Sequence, residues 1–173
     1  MNKHKVYIIV AVEKNFGIGK EGGIPWHFKK EMKFFKETTT KTADPDKQNI
    51  VIMGRTTWES LTPKFKPLAN RKNIVLTTNP DYKAHGAEIC DSLSKAIDSA
   101  DDSIETIFII GGTSVYNEAI KNSKTDGIYI TKLDAPYDCD TFFPQIPEEF
   151  KKHTSLGKDE EDGVNFEYLL YEK

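Results

Sequence analysis

Apolar residues in this chain fall into two rhythms. Short continuous runs rich in valine and isoleucine occupy residues 5–12 (KVYIIVAV), 49–54, 72–78, 106–112 and 127–133. Runs of that length suit strands buried on both faces of a parallel sheet. Between them the apolar spacing widens to three and four, which predicts helices over 27–38, 55–61, 92–100 and 113–123. The end of the chain reads differently. EEFKKHTSL (148–156) and VNFEYLLYEK (164–173) suit two antiparallel strands joined by the acidic turn GKDEEDG (157–163), and TTTKTADPDKQN (38–49) suits a polar surface loop. The pattern predicts a single α/β domain over 1–173, with a mostly parallel central sheet, flanking helices and a C-terminal antiparallel hairpin.

Directly after the first predicted strand stands Gly17-x-Gly19-x-x-Gly22, the written form of a dinucleotide-binding fingerprint. That fingerprint requires a helix to open at its third glycine and an acidic residue to end the second strand. Here Gly23, Ile24, Pro25 and Trp26 delay the helix, and the second strand ends in Gly54-Arg55. A P-loop fails as well, because Lys20 is followed by Glu21 rather than Ser or Thr. What remains is a glycine-rich connection, read either as a lid over a site or as an irregular surface loop.

The first helix carries an anomaly. Phe28, Glu31, Met32 and Phe35 fall on one face, so a carboxylate sits within an apolar stripe. Either a lysine or solvent satisfies Glu31, or it awaits a ligand with paired N–H donors such as an aromatic amidine-like edge. Composition narrows the partners. With 24 basic and 27 acidic residues the net charge is −3, and no basic face is predicted, which argues against nucleic acid and for a small-molecule site. Cys90 and Cys139 lack metal-site spacing and the four histidines are scattered, so no metal is expected. No run reaches the roughly 20 apolar residues of a membrane span, and free thiols in a reducing cytoplasm are expected.

Taken in order, Pro25-Trp26, Glu31, Phe35, VIMGRTTWESL, RKNIVLT, IIGGTSVY and YITKLD resemble the dihydrofolate reductase family over nearly the whole chain. The resemblance implies an eight-stranded, mainly parallel sheet, NADPH as hydride donor, and reduction of 7,8-dihydrofolate to 5,6,7,8-tetrahydrofolate. It implies a monomer and inhibition by antifolates such as methotrexate or trimethoprim. Glu31 would bind the pterin amino group and adjacent ring nitrogen, Thr131 would reach that carboxylate or its water, and Trp26 would hold a water. Ile9, Val10, Met32, Phe35 and Ile110 would line the pterin and nicotinamide pockets, with Leu61 and Leu68 around the p-aminobenzoyl ring. Arg71, which without the resemblance reads as a solvated strand-start residue, would grip the α-carboxylate of the glutamate tail.

For the cofactor, Gly54, Arg55, Thr56 and Thr57 would meet phosphate, with Arg55 and Thr78 near the 2′-phosphate and Leu76 and Thr77 against adenosine. Gly111-Gly112, joined by a cis peptide in the family, would precede a helix whose first residues, Thr113, Ser114, Val115 and Tyr116, face the pyrophosphate. Thr113 and Ser114 also suit plain helix capping, and both roles can hold together. Ala11, Ile18, Gly19 and Ile24 would meet the nicotinamide end, and residues 17–24 would form a hinged, flexible lid. Because Glu31 lies on the far side of the pterin from N5, it would polarise the ring while water delivers the proton. The related pyrimidine reductase of riboflavin synthesis would lack the Glu31 and Arg71 pair, and a non-catalytic nucleotide-binding module would need no pterin pocket. The sequence departs from the common pattern at Ala69-Asn70, where Pro-Gly is frequent, at Thr113 and at His27. Asn70 tolerates left-handed angles, which would preserve the aim of Arg71. His27 suits either the pocket rim or the surface. The three aspartates in DAPYDCDTFFP (134–144) read as turn residues rather than a calcium loop.

Overall fold

The computed structural model describes residues 4–173. Strand β1 (Lys5–Val12) occupies the centre of the molecule, and its alternate side chains enter two different cores. Val6, Ile8, Val10 and Val12 join one cluster, with Ile52, Ile109 and Ile130. Ile9 joins another, with Val51, Met53, Val75 and Phe108. A strand buried on both faces needs an apolar residue at nearly every position, which is why β1 and its neighbours read as unbroken runs. Each isoleucine wholly withdrawn from water, as Ile8 and Ile52 are, stabilises the fold by about 1.5–3 kcal/mol.

The remaining strands are β2 (Gly17–Gly19), β3 (Gln48–Gly54), β4 (Arg71–Leu76), β5 (Glu88–Cys90), β6 (Ile104–Gly111), β7 (Gly127–Leu133), β8 (Thr141–Phe142), β9 (Lys152–Glu161) and β10 (Val164–Glu172). Eight of them form one sheet in the order β5-β4-β3-β6-β1-β7-β10-β9. The first six are mutually parallel, and β10 runs antiparallel to both β7 and β9. Helices α1 (Lys29–Thr40) and α2 (Arg55–Ser60) accompany the second core, to which they contribute Phe35 and Trp58. Helices α3 (Leu93–Asp98) and α4 (Thr113–Lys121) cover the first.

Boundaries differ from the sequence pattern in instructive places. The 38–49 segment is not all loop: α1 continues to Thr40, and β3 begins at Gln48. The acidic stretch 157–163 is mostly strand, since β9 runs on to Glu161 and reversal is confined to Asp162-Gly163, both with positive φ. β9 is the sheet's outer edge and largely exposed, so no apolar run betrays it. The start of α1 also depends on this hairpin. Its N-cap, Phe28, offers no side-chain oxygen. Instead the Glu161 carboxylate accepts the Lys29 and Lys30 backbone N–H groups, each at 2.9 Å. Those bonds hold its carboxyl below the usual range. Phe34 stacks on Tyr168 of β10 at 4.1 Å between ring centres, a second tie between α1 and the hairpin.

Candidate active site

β1, β3 and β6 are parallel neighbours or near neighbours, so their carboxyl ends share one edge of the sheet, the edge where open α/β sheets bind ligands. α1 crosses beside it. Glu31 is half-buried in the first turn of α1, and no hydrogen bond or ion pair satisfies its carboxylate among the described residues. Of the two readings left open by the stripe, the lysine partner is therefore absent. Burial alone pushes its carboxyl up to about 7. Glu31 also acts on the wholly enclosed Tyr116, whose hydroxyl is pushed upward by burial first and by the Glu31 charge second. That hydroxyl stands 2.8 Å from the Ile110 carbonyl and 3.0 Å from that of Ile9, pinning α4 to both strands.

Ile9, Phe35, Leu61, Leu68 and Ile110 gather in a single cluster, so five of the expected apolar wall residues do converge. Val10 does not. Its side chain enters the opposite core, which leaves only its main chain to face this edge. Met32 is 42% exposed, so the α1 stripe is not closed over by protein. Thr131 is buried beside Ala11 in the β1–β7 ladder, with no direct hydrogen bond to Glu31. Trp26 packs with Phe28, Leu133, Phe166 and Tyr168 and lies 5.2 Å from the Tyr137 ring.

Arg71 opens β4 and is buried. Its Nε donates to the Ala69 carbonyl at 2.9 Å, and Nη1 donates to Thr39 Oγ1 at 3.0 Å. No carboxylate pairs with it among the described residues, and burial lowers its pKa. Asn70 has φ of 62°, the left-handed conformation expected of it. Thr39 lies two turns beyond Glu31, about 12 Å along the helix at 1.5 Å per residue. An unpaired acid and an unpaired base thus stand toward opposite ends of one apolar wall. Asn73 steadies the base's end. Its side-chain amide donates to Leu68 and Arg71 carbonyls and accepts from the Leu68 N–H.

The opposite flank is made of main chain. α2 and α4 each begin after a glycine, Gly54 and Gly112, and neither start is capped by a side chain, which removes the capping role considered for Thr113 and Ser114. The Gly111-Gly112 peptide is cis. Side chains added at Gly111 and Gly112 would meet Thr57 Oγ1 at 3.3 and 3.2 Å, and one at Gly54 would meet Val115 at 3.2 Å. Two helix starts with free N–H groups therefore lie together, a cradle suited to a pyrophosphate. Thr56, Ser114 and Thr78 are exposed around it. Leu76 and Thr77 end β4 and its flank, where the Thr77 N–H bonds to the Cys90 carbonyl. Arg55 stacks over Tyr82 at 4.6 Å, and its Nε donates to Glu59 at 3.3 Å.

Residues 17–24 are tied to the rest of the chain at several points. β2 pairs with β8, and Lys20 and Gly23 close a tight turn. Asp140 accepts the Glu21 N–H at 2.9 Å and donates its own N–H to the Gly19 carbonyl. Two of the glycines expected to allow hinging, Gly17 and Gly19, have a packing role as well. A side chain on Gly17 would meet the Cys139 Cβ at 2.4 Å, and one on Gly19 would meet Thr141 Oγ1 at 2.7 Å. Close packing against 139–141 requires them. Ile18 packs at the margin of the first core, whereas Ile24, at the tip, is 68% exposed. His27 is exposed. Three contributors gave no local signal in sequence: Thr39, which aims Arg71, Glu161, which caps α1, and Glu13, buried beside β1. Each works through a partner far along the chain or through backbone atoms.

Comparison with known proteins agrees with this architecture. Residues 5–173 match the family model for dihydrofolate reductase. The chain is 42% identical to the dihydrofolate reductase of Drosophila melanogaster over 175 residues, covering 96% of each protein. It is 37% identical to that of Aedes albopictus, covering 98% of this chain and 97% of the relative. The solved structure of Schistosoma mansoni dihydrofolate reductase superposes with a TM-score of 0.84 at 38% identity, over 98% of both chains. The fold and these matches together define an α/β oxidoreductase of the kind that works with a nicotinamide cofactor. The chain belongs to the dihydrofolate reductase family.

Proposed function

We propose that this protein reduces 7,8-dihydrofolate to 5,6,7,8-tetrahydrofolate with NADPH, supplying one-carbon carriers for thymidylate, purine and amino-acid synthesis. The observation that carries this reading is the pair of unmatched opposite charges, Glu31 and Arg71, along one apolar wall. A folate has the complementary sequence of groups: an amidine-like pterin edge, an aromatic ring and a carboxylate tail. Glu31 would take the pterin 2-amino group and neighbouring N–H on its two oxygens, and those donors would restore its ionised form at neutral pH. Phe35, Ile9 and Met32 would sandwich the pterin with the Val10 main chain, Leu61 and Leu68 would hold the benzoyl ring, and Arg71 would fork the α-carboxylate.

Gly54 to Thr57 and Gly111 to Tyr116 would hold the cofactor's phosphates. Leu76, Thr77 and Thr78 would meet its adenosine, Ala11, Ile18, Gly19, Ile24 and Ile110 its nicotinamide end, and Arg55 its 2′-phosphate. NADPH, when bound, supplies the hydride for pterin C6. Glu31 polarises the ring without reaching N5, so water is the proton source there, with Trp26 and Thr131 ordering water and carboxylate. Residues 17–24 exclude bulk solvent while this happens. The test is an absorbance assay of NADPH oxidation with and without dihydrofolate. Substrate-dependent turnover blocked by methotrexate is expected; oxidation indifferent to dihydrofolate would defeat the reading.

A further inference from the structure

Glu13 is the first residue beyond β1, and its side chain is 2% exposed. A carboxylate so enclosed must be satisfied, and here no cation pairs with it among the described residues; backbone amides do the work. Oε1 accepts the Asn15 N–H at 2.6 Å and the Gly17 N–H at 2.7 Å. Oε2 accepts the Tyr137 N–H at 3.1 Å, from a segment 124 residues away. Around it the Glu13 N–H donates to the Gly17 carbonyl at 2.9 Å, and the Lys14 N–H donates to the Ala135 carbonyl at 3.2 Å. One oxygen thus closes the 13–17 reversal, and the other fastens that reversal to the 134–138 segment. β2 leaves this knot directly, and residues 20–24 extend from β2.

We propose that Glu13 is a positioning residue for the reductase reaction: its carboxylate is the clasp that sets where residues 17–24 lie over the nicotinamide end of the cleft. The inference rests on the functional reading above. It predicts a division within the cofactor, because on the proposed reading the adenosine half would be held by β4 and α2, away from the clasp. Glu13→Gln keeps an oxygen for Asn15 and Gly17 but turns an amide NH2 toward the Tyr137 N–H, cutting one link. Glu13→Ala cuts both.

The experiment measures NADPH and 2′,5′-ADP binding by calorimetry, together with amide exchange, in the wild type and both variants. For Glu13→Gln, exchange at Tyr137 quickens and the NADPH Kd rises about fivefold, while the 2′,5′-ADP Kd stays within about twofold. For Glu13→Ala, exchange at Gly17 quickens as well and the NADPH effect grows. Equal weakening of both nucleotides would make Glu13 part of the general scaffold and overturn the proposal. Faster exchange with unaltered NADPH affinity would overturn it too. If Glu13→Ala does not fold, Glu13→Gln alone decides. A wild type that fails to oxidise NADPH with dihydrofolate would defeat the functional reading instead, and amide exchange would still report whether the clasp exists.

Discussion

The two flanks of the cleft are built from different parts of the polypeptide. The flank formed by α1 and the start of β4 carries side-chain charge: one acid and one base, each buried without a protein counter-ion among the described residues. The β3–β6 flank works through missing atoms. Gly54, Gly111 and Gly112 let two helix starts approach, and on the proposed reading recognition there falls to the backbone itself. A charge tolerates small shifts, because its field reaches several ångströms. A close approach of main chain does not.

Four substitutions would break or sharpen that contrast. Gly111→Ala places a side chain at φ of 133° and 3.3 Å from Thr57 Oγ1. It should weaken NADPH binding at least about a hundredfold and cost about 2–3 kcal/mol of stability. Calorimetry and thermal melts would show it, and undiminished NADPH affinity would break the backbone account. Arg71→Ala should raise the dihydrofolate KM about fiftyfold and leave NADPH affinity alone, since only the tail's charge partner is lost. A pteridine substrate without the glutamate tail should not notice the change, and steady-state kinetics with both substrates decides.

Glu31→Gln should slow single-turnover hydride transfer at neutral pH at least about tenfold, or roughly 1.4 kcal/mol of barrier. The same variant has an opposite effect on the ligand-free fold. The native carboxyl titrates near 7 and the unfolded one near 4.5, so the native state holds the extra proton between those values. Stability therefore falls as pH rises through that window. Glu31→Gln should flatten the fall and be more stable at about pH 8 by an order of 2 kcal/mol, read by urea unfolding across pH. Arg55→Ala, smallest of the four, should cut the preference for NADPH over NADH only about threefold to fivefold. Arg55 is exposed to screening solvent and already engaged by Glu59 and Tyr82.

Legibility in the sequence followed the same division. The buried strands announced themselves because both faces needed apolar residues, and Glu31 stood out because its neighbours on the helix are apolar. β2, β5 and β8 are two or three residues long, below the length at which any period can register. β9 was mistaken in part for a turn because an exposed edge strand needs no apolar alternation. Gly17 and Gly19 carry a packing role that no local pattern displays. Their neighbours at 139 and 141 are distant in sequence. Glu13 was invisible for a related reason: its partners are amide hydrogens, which every residue except proline carries.

The capping of α1 by Glu161 ties the two ends of the polypeptide into one timetable. A chain growing on the ribosome makes the helix that bears Glu31 early, yet the oxygens that anchor its first turn come from β9, the outermost strand of the sheet and one of the last two in chain order. Until β9 and β10 emerge and dock, two N–H groups of that first turn have only water for a partner, and the acid lacks the anchor that fixes its bearing. Competence for chemistry therefore arrives late in synthesis, however early the central strands condense.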